Sequence, residues 1–256
     1  MHHWTKRLFA IAAPLLLTGC LWGPGKFNSE LTLRKDGSFT LDYRGEIVLQ
    51  LPPDATSEPW SDAKAKCNED GKDRACTKSE IADQKAAYDK KRKDSEDMAK
   101  LFGLPGLDDA SNRAFAAKLT KYAGWRSVTY RGGGVFDVDY HFVGSATQDF
   151  LFPALPDNNL IIPFVALRRR ADGSVLVTAA AFTGGAGPMG SAAAGAGDMG
   201  KGGPVSRAQG RFTVITDGEI LTNNSEDGAS AHAIGRQLHW DVGPASNKIP
   251  ETLIRL

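Results

Sequence analysis

Leu31-Thr32-Leu33-Arg34-Lys35-Asp36-Gly37-Ser38 sets the architecture of the chain. β-favouring residues run into an Asp-Gly pair and out again, the local signature of a hairpin, and this predicts antiparallel strands over Glu30–Lys35 and Ser38–Leu49. The signal recurs along the chain. Gly132-Gly133-Gly134 separates Trp125–Arg131 from Val135–Val143, Asp172-Gly173 separates Leu160–Arg170 from Ser174–Phe182, and Asp217-Gly218 separates Gly210–Thr216 from Glu219–Thr222. Gln237–Val242 and Thr252–Leu256 are predicted as late strands. Phe136, Val138, Tyr140 and Phe142 alternate with Asp137, Asp139 and His141, the period of a strand with one buried and one wet face. Pro163, inside the apolar run Leu160–Val165, predicts a sheet edge or a bulge, because proline has no N–H for a ladder.

Helical sequence lies between the first two hairpins. Ser61 is placed to cap a short helix carrying Cys67, and Thr77-Lys78-Ser79-Glu80 is a capping-box pattern opening a longer one. The middle of that helix, Asp89–Asp97, has almost no apolar face. Its pairs Lys90/Asp94, Arg92/Glu96 and Lys93/Asp97 stand at i,i+4, so a solvated, projecting helix is expected. After a loop over Phe102–Asp109, Ser111 is expected to cap an amphipathic helix. Phe115, Leu119 and Tyr122 form its stripe, Gly124 lies just past its end, and it should cover one sheet face. Gly184–Pro204 is glycine- and alanine-rich with little charge, and is expected to be a flexible loop. The fold class is α+β: a twisted antiparallel sheet built from hairpins, with a helix layer and a helical insertion at about residues 60–103.

The chain opens with Lys6 and Arg7 before an apolar run over Leu8–Leu17, a secretory leader whose ~10 apolar residues are too few to span a bilayer. Leu17-Thr18-Gly19-Cys20 resembles a bacterial lipobox, which implies cleavage of residues 1–19 and acylation of Cys20. The plainer alternative is an ordinary cleaved leader beside a chance cysteine. Several acyl chains, at ~0.8 kcal/mol per buried methylene, would hold the protein on a membrane durably. Leu21, rather than aspartate, follows the cysteine, and by resemblance to the sorting rule of enteric bacteria this favours the periplasmic leaflet of the outer membrane. With strand sequence expected from Ser29, residues 20–28 form a short lipidated tether reaching ~26 Å at most. The domain itself is expected over 29–256.

Removing Lys6 and Arg7 takes the formal charge from +1 to −1, so bulk charge does not point to nucleic acid. Cys67 and Cys76 remain after Cys20, separated by a polar segment containing Asp70-Gly71. In an oxidising compartment they are expected to form a disulfide, worth ~2.7 kcal/mol in the chain-entropy model. Zinc is disfavoured by two lone sulfurs with no nearby histidine, and no redox motif is present.

The order of pieces resembles a group of alphaproteobacterial lipoproteins and, more distantly, the LppM-type lipoprotein domain. The residues that carry this are the lipobox, Leu31–Ser38, Gly210-Arg211-Phe212-Thr213-Val214, Asn223-Asn224 and Leu238-His239-Trp240-Asp241-Val242. The charged insertion and the Gly184–Pro204 loop depart from the distant group's pattern. The resemblance implies an α+β envelope domain without known catalysis and carries over no functional residue.

For chemistry, Asp137-x-Asp139-x-His141 is the best metal constellation, since alternate strand residues share a face. A polar, solvated strand face explains the same residues. A serine hydrolase lacks its G-x-S-x-G elbow, and Gly190-Ser191 lies in the glycine-rich loop. That loop has no Lys-Ser/Thr for phosphate cradling. Arg168, Arg169 and Arg170 end a strand before Asp172-Gly173. They are expected as a solvated hairpin tip, with contact to anionic headgroups as the functional reading at about 1 kcal/mol per charge. The function expected is therefore a non-catalytic lipoprotein needing no cofactor. Its partner would be either a lipid-like ligand in a groove under the Ser111–Ala123 helix, gated by Gly184–Pro204, or an envelope protein on the charged helix. The alternative is a metal-dependent or hydrolytic enzyme using Asp137, Asp139 and His141.

Overall fold

The computed structural model describes residues 22–49, 60–69, 72–101, 108–154, 163–184 and 207–256. The leader, Cys20, Asp70-Gly71, Leu160–Ile162, Gly190-Ser191 and the Gly184–Pro204 loop beyond Gly184 lie outside the described residues.

The strands are β1 (Trp22–Leu33), β2 (Ser38–Leu49), β3 (Cys67–Glu69), β4 (Lys72–Arg74), β5 (Trp125–Gly132), β6 (Val135–Ser145), β7 (Phe150–Phe152), β8 (Val165–Arg169), β9 (Val175–Thr178), β10 (Gln209–Thr216), β11 (Glu219–Asn223), β12 (Ser230–His232), β13 (Gly235–Val242) and β14 (Glu251–Arg255). The helices are α1 (Lys78–Leu101) and α2 (Asp109–Leu119). The fold class is the α+β arrangement expected, with the strands divided between two main sheets. A seven-stranded sheet runs β12-β13-β10-β1-β2-β6-β5, and a five-stranded sheet runs β11-β14-β9-β8-β7.

The first hairpin closes as its sequence predicts. Arg34 N donates to Ser38 O at 2.8 Å and Gly37 N to Arg34 O at 2.9 Å, with Gly37 at φ 84°. Asp36 Oδ1 accepts from both Ser38 N and Ser38 Oγ, at 2.8 and 2.6 Å. Arg170–Ser174 repeats this turn between β8 and β9, with Gly173 at φ 83° and Asp172 accepting from Ser174 N and Oγ at 3.0 and 2.6 Å. Only glycine takes that left-handed position without strain.

Asp217-Gly218 is not a hairpin. β10 belongs to the large sheet and β11 to the small one, so the pair turns a corner between sheets. Fully buried Thr216 accepts from Gly218 N at 2.9 Å, and Asp217 Oδ1 accepts from Lys35 N at 2.7 Å, tying the corner to the first hairpin's turn. The large sheet also holds a parallel pair, β1 with β10. There Gly210 has no room for a side chain: a Cβ would sit 1.9 Å from Phe27 O. Pro163 lies two residues before β8, and β8 is flanked on both sides, so among the described residues the proline stands outside the ladder rather than at an edge or a bulge. Phe164 instead donates the bond to Phe152 O, at 2.5 Å.

Aromatic rings fill the space between the sheets. Phe152 lies 5.2 Å from Tyr43 and 4.4 Å from Tyr140, Phe150 is 4.8 Å from Phe39, and Phe27 stacks on Phe182 at 4.1 Å. The Tyr43 hydroxyl donates to Glu46 O at 2.7 Å, and burial drives its phenol well above the ordinary range. Tyr140 is likewise pushed up to about 12 by burial. At the other end of the same sheet face, α2 provides the expected helix layer. Phe115 lies 5.6 Å from Trp22 and 6.2 Å from Phe136. Its cap is Asp108, which accepts from Ser111 N and Oγ at 2.9 and 2.6 Å, so Ser111 lies inside the first turn. The helix ends at Leu119, which leaves Tyr122 off the stripe and 44% exposed.

Residues 22–28 are strand rather than tether. Trp22 pairs with Leu49 and is 3% exposed, so the domain starts seven residues earlier than the pattern from Ser29 suggests.

In the insertion, Cys67 and Cys76 form the expected disulfide, with Cα atoms 5.3 Å apart. Cys67 is on β3 rather than on a helix. Ser61 precedes only a 3₁₀ turn over Asp62–Lys64 and makes no side-chain cap. The capping box forms: Thr77 N donates to Glu80 Oε2 at 2.8 Å and Glu80 N to Thr77 Oγ1 at 3.3 Å. Arg74 above all, then Thr77, hold the Glu80 carboxyl at about 2. Gln84 grips Lys66 through its N–H and C=O, at 3.2 and 3.1 Å. No residue of α1 with a described side chain is buried, which fits its solvated sequence.

Two outcomes follow. Gly210→Ala must separate β1 from β10 and is expected to cost more than about 2 kcal/mol in denaturant unfolding. Replacing both Cys67 and Cys76 with serine should speed amide exchange over 78–84 while leaving exchange in β1, β2 and β6 unchanged, because the bridge braces only the insertion.

Candidate functional site

Where β13 ends, a cleft of about 480 Å³ opens among Asn224–Asp227, His239–Asp241 and the loop over 243–250, with Phe182 behind it. Asn224 fixes the walls. Its Oδ1 accepts from Trp240 Nε1 and Glu251 N, both at 2.9 Å, and its Nδ2 donates to Ile249 O at 2.7 Å. One amide thus joins β13, β14 and the loop between them. Ser246 closes that loop on itself: its N donates to Gly243 O and its Oγ accepts from Gly243 N, both at 2.9 Å, while its carbonyl accepts from Gly184 N at 2.7 Å.

The cleft's charges are arranged in pairs. His239 Nε2 lies 3.0 Å from Asp227 Oδ2. Asp241 takes Arg211 Nε and Nη2 at 2.7 and 3.0 Å, and that bidentate bond lowers the carboxyl below its usual range and raises the guanidinium. The hydroxyls are turned to backbone, Ser225 Oγ donating to His239 O at 2.8 Å. The arrangement suits holding a polar group by hydrogen bonds, and its volume falls in the range of small-ligand sites.

Asp137, Asp139 and His141 do share one face of β6, opposite the core, as their spacing predicts. They do not converge. Asp137 takes Arg131 Nε at 2.5 Å, Asp139 faces Arg44 Nε at 3.6 Å, and His141 Nδ1 bonds Asp42 Oδ1 at 2.8 Å. Among the described residues, no group of three or more His, Cys, Asp or Glu is placed to hold a metal ion. The metal expectation is therefore corrected. Strand spacing separates same-face neighbours by ~7 Å, and cross-strand cations on β2 and β5 draw each carboxylate away from the others.

Arg168, Arg169 and Arg170 are exposed at the end of β8, the solvated hairpin tip expected. Arg169 Nη1 donates to Ala146 O at 3.3 Å, and Ala146 N donates to Gly37 O at 2.7 Å. The tip thus stands beside the β1–β2 turn, at the opposite end of β1 from Trp22. Along β1, at ~3.2 Å per residue, that is about 35 Å. Asp36 and Asp172 share this end, their carboxyls lowered by bonds from Ser38 and Ser174 and next by Arg34 and Arg170, so carboxylates accompany its cations.

Under the α2 helix, where a groove is expected, the described residues pack closely. Between Trp22, Ile47, Leu119, Trp125, Phe136, Val138 and Pro153 there remains a cavity of about 10 Å³, hardly room for one water. The rings of Trp22, Phe115 and Phe136 have filled it. The 243–250 loop, Asn224 and Asp227 were not singled out as a site from sequence. The polar segments Asn223–Asp227 and Gly243–Pro250, flanking a Trp-Asp strand, carried the available signal.

No protein-family model and no curated protein matches this chain. The solved NMR structure of the folded domain of LppM from Mycobacterium tuberculosis is similar to it, at 12% identity over 93% of this chain and 91% of that one, with a TM-score of 0.28.

Asn224→Ala removes the bonds to Trp240, Glu251 and Ile249 together and is expected to lower stability by about 2–3 kcal/mol. Exchange should quicken over 243–250, whereas Trp240→Phe, which removes one bond, should cost about 1 kcal/mol in the same unfolding assay.

Proposed function

We propose that this chain is a lipid-anchored protein of the cell envelope, acylated at Cys20 in the periplasmic leaflet of the outer membrane, and that it acts by binding rather than catalysis. The observation that carries the reading is the junction between leader and fold. Leu17-Thr18-Gly19-Cys20 ends one residue before Leu21, and β1 starts at Trp22. Cleavage in front of Cys20 would remove the leader and leave the first strand whole.

The ligand belongs in the cleft at the end of β13 rather than under α2. The cleft has the volume for a sugar or a lipid headgroup, a rim of amide, imidazole and carboxylate groups, and Phe182 behind it. The exposed α1 helix supports a second version of the same class, an envelope protein partner seated on it. The enzyme built on Asp137, Asp139 and His141 finds no support in their geometry, since each is committed to a cross-strand partner.

An alkyne-tagged palmitate fed to producing cells should label the protein, and Cys20→Ala should abolish both label and membrane fractionation. An unlabelled protein that fractionates unchanged as Cys20→Ala would show an ordinary secretory leader instead. Native mass spectrometry of detergent-extracted protein should show a bound small molecule that is lost in Ala245→Trp, which fills the rim; a stable heteromer with an empty cleft would favour the protein-partner version.

A further inference from the structure

We propose that the domain stands on the bilayer on one particular end, the end formed by the β5–β6 turn and the first turn of α2, with the β1–β2 and β8–β9 turns held farthest from the lipid. This rests on Cys20 being acylated, as proposed above.

Covalent reach fixes where the anchor meets the domain. Two peptide steps separate Cys20 from Trp22, so the anchored atom and the strand start lie within about 7 Å of each other. The strand start is not free to lengthen that tether. Trp22 is 3% exposed, its backbone pairs with Leu49, and its ring lies 5.6 Å from Phe115 and 5.4 Å from Phe136. Peeling β1 from its partner would strip the indole from the core.

The β5–β6 turn and the first turn of α2 surround that point. Leu49, the partner of Trp22, donates its N–H to Gly134 O at 2.7 Å, which sets the β5–β6 turn level with the start of β1. Tyr130 in turn donates to Asp109 Oδ1 at 2.8 Å and accepts from Asn112 Nδ2 at 3.3 Å, drawing the first turn of α2 to the same end. Gly133 at the tip of the turn has nothing within 4 Å of where a side chain would sit, and Arg131 and Arg113 are exposed beside it.

The competing orientation fails on distance. Arg168, Arg169 and Arg170 are the obvious cationic cluster for an anionic lipid surface, yet they stand beside the β1–β2 turn, about 35 Å along β1 from Trp22. Charges interact over a Debye length of about 8 Å in physiological salt, so from that distance the arginines do not sense the bilayer to which the chain is tied. For them to touch lipid, the domain would have to topple onto its side, away from a tether only two residues long. The chain's attachment, rather than its charge, decides which end meets the membrane.

The test uses the full lipidated chain, extracted and reconstituted into phosphatidylethanolamine–phosphatidylglycerol vesicles carrying a nitroxide on the headgroup. The native cysteines are acylated or disulfide-bonded, so one introduced cysteine takes a fluorophore, at Arg131→Cys, Arg113→Cys or Lys35→Cys. The nitroxide lipid should quench the probes at 131 and 113 several-fold and leave the probe at 35 as bright as in plain vesicles. Probe 35 quenched as strongly as the other two, or more strongly, overturns the orientation. Mass analysis of the N-terminal peptide separates the two levels: a peptide without acyl chains overturns this proposal together with the anchoring it rests on, whereas an acylated peptide with the wrong quenching pattern overturns the orientation alone.

Discussion

Two sheets can share one core only if the side chains between them interlock, and here aromatic rings do the interlocking. Tyr43 and Tyr140 from the large sheet close on Phe152 from the small one, while Phe27 stacks on Phe182, which in turn meets Phe212 edge-on at 5.4 Å. Each such ring removes 150–250 Å² from water, and offset or edge contacts add about 0.5–1.5 kcal/mol per pair. The other features lean on this layer. The parallel contact of β1 with β10 sets Phe27 beside Phe212's strand, the corner at Asp217-Gly218 lets the chain pass from one sheet to the other, and the cleft is what remains where the layer stops at Phe182 and Trp240.

The opposite face of the large sheet follows a different logic. Reading across the strands, Asp241, Arg211, Asn28, Arg44 and Asp139 fall in one transverse row, and His239, Thr213, Glu30, Asp42 and His141 in the next. Acids meet bases across neighbouring strands in the Arg211–Asp241 and Arg44–Asp139 pairs, while Glu30 stands opposite Asp42. Exposed pairs of this kind contribute little individually, about 0–1 kcal/mol. Their value is in register: a one-residue slip would turn the aromatic face outward and set these charges into the core.

Much of this was legible in sequence wherever the cause is local. Asp36-Gly37 and Asp172-Gly173 form the turns their residues predict because serine, aspartate and glycine complete the hydrogen bonding within five residues. Thr77 and Glu80 form their capping box for the same reason, and the alternation in β6 places Phe136 inside and Asp137 outside as expected. Pairing at a distance was not legible. An Asp-Gly pair reports a bend in the backbone and not which strands it joins, so Asp217-Gly218 passes for a hairpin. Lys35 and Asp217 meet across 182 positions of chain, and nothing in either neighbourhood announces the other. The same limit hid the cleft, whose walls come from two loops brought together by Asn224. It also left a metal open as the alternative to a polar strand face at Asp137, Asp139 and His141, because Arg131, Arg44 and Asp42 become their neighbours only once β5 and β2 flank β6.

The position of β1 in the large sheet decides how late the fold is completed. β1 is the first strand of the fold, yet it lies between β2 and β10, and β10 begins at Gln209. A chain synthesised from its amino end delivers β1 and β2 early and the segment that must seal the other side of β1 very late. Until then one flank of the central strand has unsatisfied hydrogen-bonding groups and the Phe27 side of the core lacks its cover. The emerging molecule therefore needs either speed or a guardian while it is being made, because its middle is the last part to close.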